Sequence, residues 1–383
     1  MFIGFDKHET SEHLLTAVIE QLCKAGHSIH ILQKHAGGDL PSIPECLSNY
    51  PITTDTIPVQ SVNKGNFVAR YFAELKYVRK CKKYIATGYD AVFVQSTVVG
   101  GYAVTALRKK LPNAIITFNV QDIFPYNAVY SGKIKERGMA FKFFASKQRL
   151  AYKKADHIIT ISDDMKETLV EDGVDPNKIE VIYNWSYQDD LYDNLDLTPV
   201  SHMFDKDKKN IVYAGNIGVM QNVDIVVSAA LLLKEDPDIC FHIFGTGLYK
   251  SKLEERVNTL GLDNVRFWPM QPAEYAPIIY SAASVNIIPL VKNGYRTALP
   301  SKTATCLACQ KPIVFAIGKD STFGKRILSE TGGYLIESDD VNELASIIRQ
   351  IPKNIISKSE GEFYLSYCRT SINSAKYAEI ITG

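Results

Sequence analysis

One stretch of the sequence constrains the fold more than any other: an apolar strand that runs straight into a glycine-containing turn and then a helix. Residues 211–214 predict a strand buried on both faces, the turn Gly215-Asn216-Ile217-Gly218 follows, and a helical pattern covers 221–234. The N–H groups of such a turn and the positive end of the helix dipole converge on one place, which suits a phosphate group. This unit lies in the middle of the 383-residue chain, so we expect it to belong to a second domain.

Strands and helices alternate in both halves of the chain, which predicts two doubly wound α/β domains with parallel sheets. We expect an N-terminal domain over 1–195, a C-terminal domain over 196–355, and a helical segment over 356–383 that crosses back to the first. The polar stretch 184–209 is interpreted as the linker. The other predicted strands are 1–5, 28–32, 91–94, 114–118, 157–161, 178–182, 239–244, 265–267, 285–289, 312–315 and 333–336. The other predicted helices are 11–25, 67–86, 98–110, 139–154, 163–171, 248–260, 272–281, 301–309 and 341–351.

Cysteine usage and the apolar runs indicate the compartment. Seven cysteines are scattered along the chain and no secretion signal precedes them, so we expect reduced thiols in a cytoplasmic protein. Cys306 and Cys309 form a lone C-x-x-C, which favours a packed helix face over a zinc or redox site. No apolar run approaches the ~18 residues that span a bilayer.

The first half contains a basic region, although the whole chain carries a net charge of only +1. Residues 64–154 include 18 basic and four acidic side chains, with basic residues along the predicted helices 67–86 and 139–154. The second of these helices interleaves phenylalanines with cations, a pattern typical of helices that lie in an anionic membrane leaflet. A helix packed on the sheet with a solvated basic face is the alternative. We expect no nucleic acid to bind, because no recognised nucleic-acid module accompanies the patch.

A second glycine turn follows the predicted strand 239–244. Gly245 and Gly247 form a G-x-G, but Lys250 occupies the third glycine position of a dinucleotide fingerprint. The sequence therefore does not predict a dehydrogenase. A tight strand-to-helix turn without a ligand explains these two glycines equally well.

A third candidate anchor is a basic loop that leads into a helix. Lys292 and Arg296 lie in the loop, Pro300 and Ser301 begin the helix, and Lys302 falls in its first turn. A cation there opposes the helix dipole, at a cost of a few tenths of a kcal/mol to about 1 kcal/mol. A bound diphosphate would reverse this cost, because the ammonium and the helix N-terminus would both attract it. An exposed surface lysine is the alternative.

In their order and spacing, these segments resemble the retaining GT-B glycosyltransferases of the "glycosyl transferases group 1" family (family GT4). The branch that builds bacterial capsule and O-antigen polysaccharides is the most similar, and the resemblance covers nearly the whole chain. The segments that carry it are 26–27, 121–125, 155–162, 182–185, 213–218, 245–247, 300–302 and 308–312. The resemblance implies two Rossmann-like domains that face each other across a cleft. It also implies a nucleotide sugar, with UDP expected, in the C-terminal domain and an acceptor in the N-terminal domain.

The resemblance also implies how the site works. Glycosyl transfer builds negative charge on the departing diphosphate, so Arg296 and Lys302 are candidate catalytic cations and no metal or other cofactor is expected. A metal-dependent enzyme would use a D-x-D after a strand, whereas 205–207 and 236–238 resemble solvated turns. The candidates for binding the donor are Gly215, Asn216, Ile217, Gly218, Gly245, Gly247, Met270, Lys292, Pro300, Ser301 and Thr305.

Three positions depart from the family pattern. Many members have a glutamate that holds the ribose where this chain has Thr305. Members of other branches have an arginine and a lysine where this chain has Asn216 and Asn222. The turn therefore brings no cation of its own and depends on the basic loop downstream.

Candidates for the acceptor lie in the first half. Asp122 follows a predicted strand, where a carboxylate can accept the proton of the acceptor hydroxyl or position it. A loop hydrogen bond is the alternative for this side chain. Gln121, Asp6 and His8 are further acceptor or sugar candidates, and a solvent-exposed histidine explains His8 equally well.

We therefore predict a glycosyltransferase of bacterial surface polysaccharide synthesis that acts on a lipid-linked or oligosaccharide acceptor. It is expected in the cytoplasm, peripherally bound to the inner face of the cytoplasmic membrane. Two alternatives stay open: a sugar-nucleotide epimerase of the same fold, and a non-catalytic relative that binds a partner glycosyltransferase or a glycan.

Overall fold

The computed structural model describes residues 2–5, 12–35, 37, 43–59 and 67–383. The chain forms two compact units: unit 1 is Met1–Asn184 with Thr370–Gly383, and unit 2 is Trp185–Arg369. Each unit contains one sheet whose paired strands run parallel. The predicted fold class of two Rossmann-like α/β domains is confirmed.

Within the described residues, the sheet of unit 1 has seven strands. They are β1 (Phe2–Phe5), β2 (Ile29–His35), β3 (Ile52–Pro58), β4 (Ala91–Gln95), β5 (Ile115–Val120), β6 (His157–Thr160) and β7 (Ile179–Val181). Their order is β3-β2-β1-β4-β5-β6-β7. The helices that connect them are α1 (Glu12–Lys24), α2 (Phe67–Cys81), α3 (Gly100–Lys110), α4 (Tyr126–Tyr130), α5 (Met139–Lys154) and α6 (Asp163–Glu171).

Unit 2 is described over its whole length and has a six-stranded sheet. Its strands are β8 (Lys209–Ala214), β9 (Ile239–Phe244), β10 (Val265–Trp268), β11 (Val285–Pro289), β12 (Ile313–Ala316) and β13 (Tyr334–Ile336). Their order is β10-β9-β8-β11-β12-β13, so the winding reverses between β8 and β11. Its helices are α7 (Asp224–Leu232), α8 (Lys250–Leu260), α9 (Ala276–Ala282), α10 (Lys302–Ala308), α11 (Thr322–Thr331), α12 (Val341–Gln350) and α13 (Lys358–Tyr367).

The last helix of the chain, α14 (Thr370–Thr382), belongs to unit 1. Its Tyr377 is buried against Phe93 of β4, with the two ring centroids 6.3 Å apart. The Tyr377 hydroxyl donates to Asn119 Oδ1 (3.1 Å), at the end of β5. The final segment of the chain therefore completes the unit in which the chain begins.

The segment that follows residue 184 packs on unit 2 and is not a free linker. The Tyr192 N–H donates to the Ala308 carbonyl (3.0 Å), and a 3-10 helix at Thr198–Met203 buries Val200. Unit 2 therefore begins before residue 196. It also extends past residue 355, because α13 belongs to it and only α14 returns to unit 1.

Two predicted helices are each shorter by five residues in the structure. The helix predicted over 67–86 ends at Cys81. The helix predicted over 221–234 is interrupted: a 3-10 helix covers Val219–Gln221, Asn222 has left-handed backbone angles, and α7 starts at Asp224. The interruption has a physical cause, because the Asn222 amide donates to two backbone carbonyls from other loops.

Apart from short 3-10 helices, one strand and two α-helices of the described residues were not predicted. β3 is an edge strand with exposed threonines, so it lacks the apolar run that marks the inner strands. α4 has only five residues, and α11 was missed although Ser321 caps it by accepting from the Gly324 N–H (2.9 Å).

Candidate functional site

The first and third predicted anchors meet at one point of unit 2. The turn 215–218 follows β8 and the loop 290–301 follows β11, the two strands between which the winding reverses. Ligands of doubly wound sheets bind at the carboxyl ends of the strands at such a switch point. The two segments touch, because the Val291 N–H donates to the carbonyl of Met220 (3.0 Å). The turn thus has the basic loop beside it.

Only some of the turn's N–H groups are free for an anion. Gly215 donates to the Phe244 carbonyl (3.0 Å) and Ile217 to the Thr246 carbonyl (2.8 Å), so these two N–H groups bind the neighbouring turn. The N–H groups of Asn216 and Gly218 have no acceptor among the residues that the structure describes. The whole turn was expected to bind a phosphate, but within the described residues only the N–H groups of Asn216 and Gly218 are available for one.

The two glycine turns pack backbone against backbone. A Cβ at Gly245 would lie 1.9 Å from the Gly215 carbonyl oxygen, and a Cβ at Gly247 would lie 2.1 Å from the Ile217 carbonyl oxygen. Either side chain would force the turns apart. The glycines of the second anchor therefore build and support the first turn.

Lys302 lies directly against the first turn. Its ammonium lies 3.7 Å from the centroid of the Tyr213 ring, and a Cβ at Gly215 would come within 2.9 Å of its Nζ. The ammonium has no hydrogen bond or ion pair with any residue in the described part of the chain. Burial lowers the pKa of Lys302 to about 7. A nearby anion would stabilise the charged form of this partly desolvated ammonium.

The other donor-site candidates of the basic loop precede Lys302 in the sequence. Lys292 is exposed, and Arg296 is partly buried at the end of a 3-10 helix, Gly294–Arg296. The Pro300 carbonyl accepts from both the N–H (3.0 Å) and the hydroxyl (2.6 Å) of Thr303, and the exposed Ser301 makes no side-chain cap bond to any described residue. Helix α10 thus begins where the sequence predicted.

Thr305 stands where many family members have a glutamate, and its hydroxyl is already paired. The Thr305 Oγ1 and Ser186 Oγ lie 2.9 Å apart, and both side chains are buried. The neighbouring Cys306 and Cys309 are buried thiols, with the Cys309 pKa raised to about 12 by burial. This helix face is packed, as the sequence indicated, and Thr305 is not exposed to a ligand.

The two asparagines that replace family cations have structural tasks. Asn216 Nδ2 donates to Gln221 Oε1 (3.0 Å). Asn222 Nδ2 donates to the carbonyls of Ser338 (2.6 Å) and Leu290 (3.5 Å), which joins the loops after β13 and β11 to the turn. Asn222 therefore braces the site where other branches carry charge.

Exposed apolar side chains follow three neighbouring strands at the same edge of the sheet. Val219 comes after the first turn, Leu248 after the second, and Met270 after β10. Of these, only Met270 was a candidate from sequence. An apolar rim beside a polar turn suits a ligand with both a flat ring and charged groups.

Sequence reasoning missed two residues of this site. The Tyr213 hydroxyl donates to the Asn216 carbonyl (2.5 Å), while its buried ring lies under the Lys302 ammonium. Lys250 was seen only as a missing glycine, but its ammonium donates to the carbonyls of Gly245 (3.2 Å) and Trp268 (3.3 Å). An aromatic residue two positions before the turn glycine, hence on the same face of the strand, was the available signal for Tyr213.

The D-x-D candidates are engaged in other contacts. Asp205 Oδ1 accepts from the Asp207 N–H (3.0 Å), and Asp236 forms an ion pair with Arg349 (2.9 Å). Within the described residues no group of three or more histidine, cysteine or acidic side chains is arranged to hold a metal ion. Metal independence itself stays a prediction.

In unit 1, Asp122 and Gln121 follow β5. Part of the Asp122 side chain is exposed, but many protein atoms surround its carboxyl group. The resulting partial desolvation raises the pKa of Asp122 to about 6, although the nearby charge of Arg70 lowers it. Gln121 is held on both sides of its amide: Asn184 Nδ2 donates to its Oε1 (2.9 Å), and its Nε2 donates to Asn119 Oδ1 (3.3 Å). Asp6 and His8 lie outside the described residues.

The two basic helices present an aromatic surface. Tyr71 of α2 packs on Phe144 of α5, with the ring centroids 5.2 Å apart. Beside this pair, exposed apolar and basic side chains form what we call the basic aromatic face. Its members are Phe72, Met139, Phe143, Arg70, Lys142 and Lys147. The opposite side of α5 packs on α3, where a Cβ at Gly101 would lie 2.2 Å from the Lys147 carbonyl oxygen. Helix α5 therefore packs on α3 with one side and exposes aromatic and basic side chains on the other.

The fold that these units share is that of the GT-B glycosyltransferases. The chain is similar to Anabaena Alr3699/HepE in its complex with UDP and glucose, with a TM-score of 0.71 and 16% identity over 99% of this chain and 98% of that one. This likeness concerns the fold alone. No described helix is both long enough and apolar enough to cross a membrane.

The family follows from the sequence comparison. The model of Glycosyltransferase Family 4 matches residues 11–185, and that of Glycosyl transferases group 1 matches residues 208–354. The chain therefore belongs to the group 1 glycosyltransferases of family 4, as the motifs predicted.

Two curated relatives are similar over part of their length. The chain is 24% identical over 258 residues to "Probable glycosyltransferase WbjE" of Pseudomonas aeruginosa, a match that spans 64% of each protein. It is 28% identical over 247 residues to WcaI of Escherichia coli K12, whose inferred role is that of a colanic acid biosynthesis glycosyl transferase. That match covers 60% of this chain and 57% of WcaI. The chain thus spans less than two thirds of these relatives.

Proposed function

We propose that this chain transfers a sugar, with retention of anomeric configuration, from a nucleoside diphosphate sugar to a hydroxyl group of a lipid-linked or oligosaccharide acceptor. The observation that carries the proposal is the Lys302 ammonium, which lies against the glycine turn at the switch point of unit 2 and has no hydrogen-bond or ion-pair partner among the described residues. Family membership supports the reaction class, and the UDP in the HepE complex supports UDP as the nucleotide. The inferred role of WcaI supports bacterial surface polysaccharide synthesis.

The charges of the site suit the chemistry. The bond between the anomeric carbon and the diphosphate breaks, and the acceptor oxygen forms a bond to the same face of that carbon. Negative charge then grows on the leaving diphosphate, where Lys302, Arg296 and the free N–H groups of Asn216 and Gly218 would stabilise it. We assign the proton of the acceptor hydroxyl to Asp122, which a pKa of about 6 leaves ionised at neutral pH.

The other donor and acceptor residues are assigned from their positions. The apolar rim of Val219, Leu248 and Met270 is proposed to receive the nucleobase. Gln121, whose amide is rigidly held, is proposed to orient the acceptor, and Asp6 and His8 stay acceptor candidates from sequence alone. We no longer assign Thr305 to the donor site, because its buried hydroxyl is hydrogen-bonded to Ser186.

We further propose that the basic aromatic face holds the protein on an anionic membrane, at the inner face of the cytoplasmic membrane. Met139 is 90% exposed, Phe72 62% and Phe143 50%, and the Lys147 ammonium lies 5.6 Å from the Phe143 ring centroid. Exposed aromatic side chains among cations combine apolar insertion with attraction to acidic headgroups. A membrane-bound acceptor would be concentrated at the same surface.

A nucleotide-sugar panel tests the function. Thermal stabilisation by one nucleoside diphosphate sugar, followed by transfer of its sugar to a membrane lipid extract, is the expected result. Lys302→Ala and Arg296→Ala should abolish transfer without unfolding the protein, while Lys325→Ala, which changes an exposed lysine of α11, should leave it intact.

Three outcomes would contradict the proposal. Full activity of both site variants would overturn the site. An epimerised donor in the absence of acceptor would identify an epimerase. A lack of stabilisation by every nucleotide would favour a non-catalytic binding role.

A further inference from the structure

Tyr213 connects two parts of the donor site that are far apart in sequence. It lies near the end of β8, and its side chain is completely buried in the core of unit 2. Its hydroxyl donates to the carbonyl of Asn216 (2.5 Å), three residues later in the glycine turn. This bond satisfies a buried hydroxyl and fixes the turn relative to the strand.

The ring of the same tyrosine holds the Lys302 side chain. The ammonium lies 3.7 Å from the ring centroid, which is closer than the 4.0 Å between Arg326 and the ring of Tyr367. No carboxylate competes for this ammonium in the described part of the chain. The face of an aromatic ring attracts a cation most strongly where water is scarce, and Lys302 is partly buried.

The glycine turn also lies against the Lys302 ammonium. Gly215 has no side chain, and a Cβ there would lie 2.9 Å from Lys302 Nζ and 3.8 Å from the Tyr213 hydroxyl. The ammonium therefore lies against both the ring and the turn backbone. One tyrosine thus fixes both elements proposed to bind the diphosphate, the turn through its hydroxyl and the cation through its ring.

We propose that Tyr213 is a positioning residue of the donor site, which sets the place of the Lys302 ammonium relative to the 215–218 turn. This inference rests on the proposed function, because the ammonium matters through the diphosphate that it binds. Tyr213 is too deeply buried to touch a ligand, so it acts through Lys302.

The unliganded protein offers a first test that needs no donor. In protein labelled with ¹³C-lysine, the ring current of Tyr213 should shift the Lys302 Hε signals upfield, and Lys302→Arg assigns them by their loss. Tyr213→Phe should keep this shift and Tyr213→Leu should remove it. An ordinary Hε shift in the unchanged protein would overturn the geometry on which the inference depends.

A double-mutant cycle with inorganic pyrophosphate as the probe tests the role itself. Tyr213→Phe, which keeps the ring and loses only the hydroxyl bond to the turn, should weaken the affinity about twofold, whereas Tyr213→Leu should weaken it about tenfold. In a Lys302→Met background, Tyr213→Leu should weaken binding no more than Tyr213→Phe does, because the cation on which the ring acts is gone. A general structural defect would leave Tyr213→Leu weaker than Tyr213→Phe in both backgrounds.

The outcomes separate the two proposals. Pyrophosphate binding with additive losses in the double variant would overturn the role of Tyr213 and leave the donor site standing. Absence of pyrophosphate binding by the unchanged protein would overturn the donor site, and with it the role of Tyr213, even if the upfield Lys302 signals are observed. If Tyr213→Leu does not fold, Tyr213→Met removes the ring with a longer apolar side chain and completes the same cycle.

Discussion

Gly245 and Gly215 approach so closely that a Cβ on Gly245 would lie 1.9 Å from the Gly215 carbonyl oxygen. Gly245→Ala should therefore separate the two turns and lower the free energy of unfolding by about 3 kcal/mol, through overpacking and a φ of +139°. Gly332→Ala is the matched control in the same unit, since its φ is +65° but no atom of the described residues lies within 4 Å of the added Cβ. It should cost only about 1 kcal/mol. Urea unfolding measures the free energy of unfolding of both variants. Equal decreases would show that the close contact between the two turns does not exclude a side chain at Gly245.

The second prediction concerns proton uptake by Lys302. Its pKa of about 7 means that the side chain is largely neutral at pH 8, whereas a bound diphosphate favours the ammonium. Binding of the nucleoside diphosphate sugar should then take up close to one proton at pH 8 and few at pH 6, and affinity should fall as pH rises above 7. Calorimetry in buffers of different ionisation enthalpy measures the uptake. Lys302→Arg, which stays charged, should bind without it, so uptake by this variant would contradict the assignment.

The third prediction tests Asn222, the brace that stands where other branches have a lysine. Asn222→Lys, which restores the family cation, should destabilise the protein, because two hydrogen bonds to the carbonyls of Ser338 and Leu290 are lost. Asn222→Ala should cost about 1–3 kcal/mol more than Asn194→Ala in urea unfolding. Asn194 also has a positive φ (+55°) but is exposed and makes no side-chain bond among the described residues. Equal costs would show that the bonds contribute nothing.

The fourth prediction concerns stability in acid. His242 is buried and neutral: the Trp268 Nε1–H donates to its Nδ1 (3.1 Å), and its Nε2 lies 2.9 Å from Asn210 Oδ1. Burial lowers its pKa from the ordinary 6.5 to about 4, so the unfolded chain binds a proton more readily than the folded one between these values. The free energy of unfolding should thus fall by about 3 kcal/mol as pH drops from 6.5 to 4. His242→Gln should show a shallower decline, and identical slopes would refute the assignment.

The fifth prediction concerns the basic aromatic face. Phe72→Ser should reduce sedimentation with vesicles that contain acidic phospholipid, because an inserted ring is lost. Ile356→Ser is the matched control, since Ile356 of unit 2 is 63% exposed against 62% for Phe72. Zwitterionic vesicles should bind the unchanged protein weakly. Equal binding of both variants would place the membrane contact elsewhere or remove it.

The sequence predicted the strands of both sheets well, because parallel strands buried on both faces are continuous apolar runs such as residues 285–289. It also located the turn after β8 and the basic loop after β11, since glycines and cations next to a strand end are visible locally. Edge strand β3 was missed because three of its seven side chains are exposed and only one is fully buried.

The tasks of individual side chains were less accessible from sequence. Nothing local distinguishes Tyr213 from other core aromatics; its role depends on Lys302, which comes from another strand-to-helix connection. Asn222 ends a helix-like pattern because of carbonyls contributed by residues 290 and 338, which no local pattern contains. The pairing of Thr305 with Ser186 likewise joins segments more than a hundred residues apart.

The return of α14 to unit 1 has a consequence for how the protein is made. A ribosome synthesises Tyr377 after every residue of unit 2, yet that side chain fills the core beside Phe93 and binds Asn119. During translation unit 2 can fold as a continuous stretch, while the nascent unit 1 waits without its last helix and with apolar surface uncovered. Unit 1 can thus be completed only after all of unit 2 has been synthesised.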